Sequence, residues 1–206
     1  MRKAIPLLIL SILLFSHISM RTSAKGSIHT NADYVIILPE SFNSVIGEFV
    51  EWKMRKGHIV EGINVEDINS IYTGRDLAEK IHNFLMDNPG IRYLLLLGDS
   101  EIIPTRYIYT EASSYDPYWY DYCPSDVYYS GISHSWDLDD DGIYGEAGEC
   151  DWTGEISVGR VPASNAMEAQ QILAKLIVYE SAPTMGTWFK KLLLCGALFD
   201  VPNQID

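Results

Sequence analysis

The residues in this chain best suited to chemistry are the carboxylates Asp137, Asp139 and Asp141. They occupy every second position of Trp136-Asp137-Leu138-Asp139-Asp140-Asp141-Gly142-Ile143-Tyr144-Gly145-Glu146. Alternate residues of a tight loop turn their oxygens toward one centre, and the glycine that follows permits the backbone to reverse. This D-x-D-x-D-G opening is that of a hard-cation loop of the EF-hand kind, and anionic oxygen ligands favour calcium. The Ile143 carbonyl fills the seventh position. Position twelve is Gly148, where a bidentate glutamate belongs, so Glu146 or Glu149 is the substitute. The competing reading is a solvated acidic turn, because Asp and Gly also dominate loops that bind nothing. Four aspartates between residues 137 and 141 repel one another unless a cation sits among them, which argues for an occupied loop.

The flanks of this loop carry a resemblance. Ser125-Asp126-Val127-Tyr128-Tyr129-Ser130 precedes it, and Glu155-Ile156-Ser157-Val158-Gly159-Arg160-Val161-Pro162 follows it. Further motifs are Tyr93-Leu94-Leu95-Leu96-Leu97-Gly98-Asp99 with Ile103-Pro104, and Ser164-Asn165-Ala166-Met167-Glu168 running to Tyr179-Glu180. In this order they resemble the gingipain-type cysteine peptidase family over about residues 33 to 200. The resemblance implies a caspase-like α/β fold and hydrolysis of a polypeptide substrate by a cysteine nucleophile with a histidine base. In that family the pair is a histidine in a His-Gly context followed by a cysteine ending a strand, beyond the region matched here. This chain has no His-Gly, and a surface or hydrogen-bonded role is expected for His17, His29, His58, His82 and His134. No catalytic residue is therefore assigned.

The elements that must position these residues follow from apolar periodicity. Tyr34 to Leu38, His58 to Val65, Tyr93 to Leu97, Ile156 to Arg160 and Lys191 to Cys195 read as strands. Between them Ser41 caps a helix stopped by Gly57, and Thr73 and Asp76 start a helix ended by Asn88-Pro89-Gly90. Ser164 or Asn165 caps a helix bearing Ala169, Ile172, Leu173, Leu176 and Ile177. Near-continuous apolar strands alternating with helices predict an α/β fold, a parallel sheet with helices on both faces. The expected division is a first α/β subdomain over 25–110 and the start of a second, catalytic and incomplete one over 111–206, with the calcium loop at 137–149.

Function in such sheets gathers at the carboxyl ends of strands, which singles out Asp99. It either binds substrate or metal, or caps the free N–H groups of its own loop. Asp126 either contributes to a second ion site or caps a strand. Arg160 is read as a structural ion-pair partner of the acidic loop rather than a catalytic group, since its planar fork matches carboxylates. Eight of the thirteen tyrosines fall between Tyr107 and Tyr129; they either line a groove or pack a long loop over the domain. Cys123 and Cys150 flank the metal loop and are candidates for a disulfide, whereas Cys195 in its leucine run is an inert buried thiol.

Bulk properties exclude several classes. A net charge of −13 leaves no basic surface for nucleic acid or for an anionic membrane. Arg2 and Lys3, an apolar run from Ala4 to Phe15 and the small-residue site Thr22-Ser23-Ala24 read as a signal peptide over residues 1–24; the alternative is an uncleaved anchor. Cleavage removes three positive charges and takes the net charge from −13 to −16. The expectation is a secreted or cell-envelope protein, free of the membrane after cleavage. Two functions fit: the leading part of a gingipain-like endopeptidase, inactive alone, or a non-catalytic calcium-dependent binding or envelope module on that scaffold. Nothing in the sequence fixes the oligomeric state.

Overall fold

The computed structural model describes residues 26–109, 122–133, 135–150, 152–182 and 186–194. Four parallel strands form the central sheet: β1 (Tyr34–Leu38), β2 (Val60–Asn64), β3 (Tyr93–Leu97) and β6 (Ser157–Val161), in the order β2-β1-β3-β6. Their alternation decides what each face covers. Val35, Ile37, Leu94 and Leu96 pack with Ile68 of α2 (Val65–Ile71) and with Ile81, Phe84 and Leu85 of α3 (Leu77–Met86). Ile36, Leu38, Leu95 and Leu97 pack instead with Phe49 of α1 (Gly47–Arg55) and with Ala169 and Leu173 of α4 (Ala166–Ser181). The sheet is thus buried on both sides, the arrangement predicted from the unbroken apolar runs.

The amino ends of the strands are aligned by one residue. Asp33 accepts from the Ile59 amide through Oδ1 at 2.7 Å, and its carbonyl accepts from the Arg92 and Tyr93 amides at 2.9 Å. At the carboxyl ends, the Gly98 amide bonds to the Val161 carbonyl at 2.9 Å and the Asp99 amide to that of Ala163 at 3.1 Å. β6, from the expected second half of the chain, pairs with β3 of the first along its whole length, so one sheet serves both.

Several elements depart from expectation. The helix expected from Ser41 starts as a 3-10 turn over Glu40–Val45, because the Phe42 amide takes the Pro39 carbonyl at 2.9 Å. α2 follows β2 directly, where a strand was expected to run to Val65; with Val65 and Ile68 as its buried residues it is too short to display a helical period. The tyrosine-rich stretch contains β4 (Arg106–Tyr109) and β5 (Tyr122–Ser125), an antiparallel pair. The strand expected over Lys191 to Cys195 is not formed by the described residues 191–194, and Leu192, Leu193 and Leu194 are 82–86% exposed. An apolar run becomes a strand only where a neighbour takes up its backbone bonds. Cys195 and the signal segment lie outside the described residues.

Candidate metal loop and the carboxyl edge of the sheet

The acidic loop stands on an aromatic base. Trp136, Tyr128, Tyr129 and Tyr144 are all buried, with Tyr128 edge-on to Tyr144 at 5.7 Å and tilted toward Trp136 at 6.0 Å. One backbone oxygen, that of Gly131, accepts from Trp136 Nε1 at 3.1 Å and from His82 Nε2 of α3 at 2.9 Å. A carbonyl can only accept, so Nε2 of His82 carries a proton. The loop closes where the Gly145 amide meets the Trp136 carbonyl at 2.8 Å, and it joins β4 where the Tyr109 amide meets the Tyr144 carbonyl at 2.7 Å. Gly145 has φ +96, and a Cβ there would run into the Ile108 side chain. Both the conformation and the space demand glycine.

Within the loop the aspartates fold the backbone around themselves. Asp137 is buried; its Oδ1 accepts from the Asp141 amide at 3.0 Å and its Oδ2 from the Gly142 amide at 3.0 Å. Asp139 Oδ1 accepts from the Asp141 amide at 3.3 Å and Asp141 Oδ1 from the Ile143 amide at 2.7 Å. Asp140 takes φ 66 and Gly142 φ 90 in the reversal between them. This turn gathers two sets of ligand atoms, Asp137 with Asp139 and Glu149, and Asp139 with Asp141 and Glu146, each within 4.8 Å. Glu149 thus joins the first set and Glu146 the second. The Glu146 carboxyl is pushed above the usual range by burial and then by Asp141, Glu149, Asp139 and Asp137. Glu149 Oε2 is buried without a hydrogen-bond partner among the described residues. An all-oxygen, multiply anionic donor set with an orphaned buried oxygen fits a hard cation.

Arg75, which sequence reasoning missed, also meets this cluster. It stands at the start of α3, with Nη1 on Asp137 Oδ2 and Nη2 on Asp140 Oδ1. No spacing in the sequence joins residues so far apart; the available signal was its place beside the cap Asp76. That cap holds a second missed arginine. Arg106 donates from Nη1 and Nη2 to the two Asp76 oxygens, each at 2.7 Å, while Asp76 Oδ1 caps the Glu79 amide. The guanidinium of Arg106 lies 3.8 Å from the Tyr144 ring centre and 4.8 Å from that of Tyr128.

Arg160 does not serve the acidic loop, contrary to expectation. Its fork closes on Asp126, Nε to Oδ2 and Nη2 to Oδ1 at 2.7 Å each, and its Nη1 donates to the carbonyls of Gly98 at 3.0 Å and Ile103 at 2.7 Å. From its place near the end of β6 it reaches the turn after β3, 57 to 62 residues away in sequence, rather than the loop preceding its own strand. Asp126 is engaged there and heads a 3-10 turn over Asp126–Tyr129 capped by Ser125 Oγ. Asp99 caps its own turn, Oδ1 accepting from the Glu101 amide at 3.1 Å and the Ile102 amide at 3.2 Å.

The candidate disulfide between Cys123 and Cys150 is not formed in this structure: both are free thiols. Cys123 is exposed on β5, whereas the Cys150 thiol turns inward and donates to the carbonyls of Gly145 at 2.8 Å and Glu146 at 3.1 Å. Burial, then Glu149, pushes the Cys150 thiol above its usual range, which suppresses nucleophilic thiolate. His58 is bound to Asp33 at 3.0 Å at the amino end of the sheet, His29 to Ser27 at 2.7 Å, and His82 is buried. His17 and His134 lie outside the described residues, as do residues 110–121 of the tyrosine-rich stretch; of its remaining tyrosines, Tyr128 and Tyr129 are core and Tyr107 and Tyr122 are exposed. No helix among the described residues is long and apolar enough to cross a membrane.

Comparison with known proteins adds three likenesses. The family model described as Peptidase family C25 matches residues 27–203. An uncharacterized protein of Archaeoglobus fulgidus is 28% identical over 148 residues, which are 72% of this chain and 30% of that protein. Dimeric latent PorU from Porphyromonas gingivalis superposes with a TM-score of 0.54 at 15% identity, over 80% of this chain and 17% of that one. At that identity the likeness is one of fold, the caspase-like parallel sheet flanked by helices. The chain spans less than a third of the length of either relative.

Proposed function

Because the chain belongs to peptidase family C25, the gingipain-type cysteine peptidases, we propose that it forms the leading, scaffold part of a secreted cysteine endopeptidase's catalytic domain and carries a structural calcium loop. The family match over residues 27–203 carries this reading. Asp137, Asp139, Asp141, Glu146, Glu149 and the Ile143 carbonyl would hold the ion, which supplies cross-linking charge to the segment between Tyr129 and Ile156 rather than a reacting group. The polypeptide substrate and the export of the chain belong to the same proposal, the latter on the signal-like residues 1–24.

Within this reading the catalytic pair is not among the described residues. His58 and His29 sit before the strands, at the edge opposite the one where parallel sheets place their chemistry, and His82 is buried on Gly131. The same observation favours a second reading, a non-catalytic calcium-dependent module on the scaffold. The purified chain, given a mixed peptide library under reducing conditions, is expected to show no thiol-dependent cleavage, since base and nucleophile supply most of such an enzyme's acceleration. Cleavage abolished by Cys195→Ala or Cys123→Ala would overturn this assignment. The two readings part when the chain is expressed with its downstream coding sequence: gained thiol-dependent cleavage selects the peptidase, and continued inactivity selects the module.

A further inference from the structure

Arg75 touches the loop at two carboxylates of very different character. The Asp137 side chain is 2% exposed and that of Asp140 is 88% exposed, so one arm of the guanidinium is sheltered and the other faces water. Asp137 is also one of the carboxylates gathered with Asp139 and Glu149. A guanidinium and a divalent cation on one carboxylate repel, and each weakens the other's hold by the same factor. The backbone of Arg75 is fixed, its amide donating to Glu79 Oε2 at 2.6 Å and its neighbour Asp76 capping α3. Its side chain is partly exposed and has solvent to turn into.

We propose that Arg75 sets the calcium affinity of this loop: it is a resident cation that neutralises Asp137 and Asp140 when calcium is scarce and opposes the ion when calcium binds. This rests on the calcium reading above. It gives the loop two ways of relieving the repulsion among its aspartates, one built in and one dependent on the surroundings. The loop then keeps its shape at low calcium, at the cost of a weaker site. A residue that merely held Asp137 in place for the ion would act in the opposite sense, because its loss would loosen a ligand.

Calorimetric titration of the chelator-stripped full chain with calcium chloride, beside Arg75→Gln and Arg75→Lys, decides between them. Arg75→Gln is expected to bind calcium about tenfold more tightly than the parent. In chelator it is expected to melt about 2–4 °C lower, its carboxylates no longer neutralised. Arg75→Lys keeps the charge without the fork, falls between the two in both measurements, and carries the test should the glutamine variant not fold. Equal or weaker calcium binding by the variants, with clear heat from the parent, overturns the role of Arg75 and leaves the calcium loop standing. No calcium heat from any of the three proteins removes the calcium reading itself.

Discussion

Arg106 shows how one side chain can tie three parts of this molecule together. It leaves β4 from a buried position, lies over the corner made by the rings of Tyr128 and Tyr144, and grips the two oxygens of Asp76 at the start of α3. Burial works against the charge, but the Asp76 hydrogen bonds prevail and hold the guanidinium above its already high usual value. The same bonds hold the Asp76 carboxyl below the usual carboxylate range, which keeps it ionised as a cap. A planar fork is required, since an ammonium cannot face two rings and make paired bonds to two oxygens at once. Arg106→Lys is therefore expected to lower the unfolding free energy by about 2 kcal/mol although charge is conserved. Urea denaturation followed by tyrosine and tryptophan fluorescence checks this; a midpoint equal to the parent's would show the ring contacts to be incidental.

Among the elements, α4 meets α1 through apolar packing and through one acidic residue that gathers three donors. Glu180 accepts from Trp52 Nε1 at 2.8 Å, Lys53 Nζ at 2.8 Å and Lys56 Nζ at 2.9 Å. Burial raises its carboxyl, but these donors outweigh it and bring it from 4.5 down to about 2. A folded value below the unfolded one means the stabilisation is complete above pH 4.5 and is lost as the pH falls toward 2. After discounting for solvent screening the loss is roughly 1–2 kcal/mol. Glu180→Gln should flatten that acid limb of the stability curve, and an unchanged limb would remove Glu180 from the account. The helix itself was readable: Asn165 accepts from the Glu168 amide at 3.0 Å while Glu168 returns to Ser164, and the apolar stripe meets the sheet. β1 and β3 were readable because strands buried on both faces need unbroken apolar runs. α2, the β4-β5 pair and the partners of Arg75, Arg106 and Arg160 were not, for they depend on contacts spanning tens of residues, which no local period encodes. Asp99 could be read as ligand or cap, and only the positions of the Glu101 and Ile102 amides separate the two.

For the whole molecule the governing quantity is a net charge of −13. A compact acidic body repels itself, and the repulsion is densest where Asp137, Asp139, Asp141, Glu146 and Glu149 converge on one side of the domain. Arg75 neutralises part of that field through Asp137 and Asp140; the two remaining triads still share Asp139 and still include the orphaned oxygen of Glu149. A divalent ion placed there turns repulsion into attraction and binds the folded chain alone, because the unfolded chain does not assemble five separate carboxylates. Stability is accordingly expected to rise with free calcium by mass action, by about 2.7 kcal/mol at a hundredfold excess over the dissociation constant. With no residue at position twelve to chelate through both oxygens, that constant should fall at roughly 10⁻⁵ to 10⁻³ M, weaker than intracellular sensors and reaching into the range of extracellular modules. Magnesium, which demands a smaller octahedral site and sheds water reluctantly, should give less. Asp139→Asn, at the residue both triads share, is expected to abolish most of the calcium-dependent gain while costing little in chelator, where removing one negative charge relieves the crowding. Melting curves at stepped calcium and magnesium concentrations read all of this, and equal stabilisation by the two ions, or by monovalent salt of the same ionic strength, would reduce the loop's contribution to general screening.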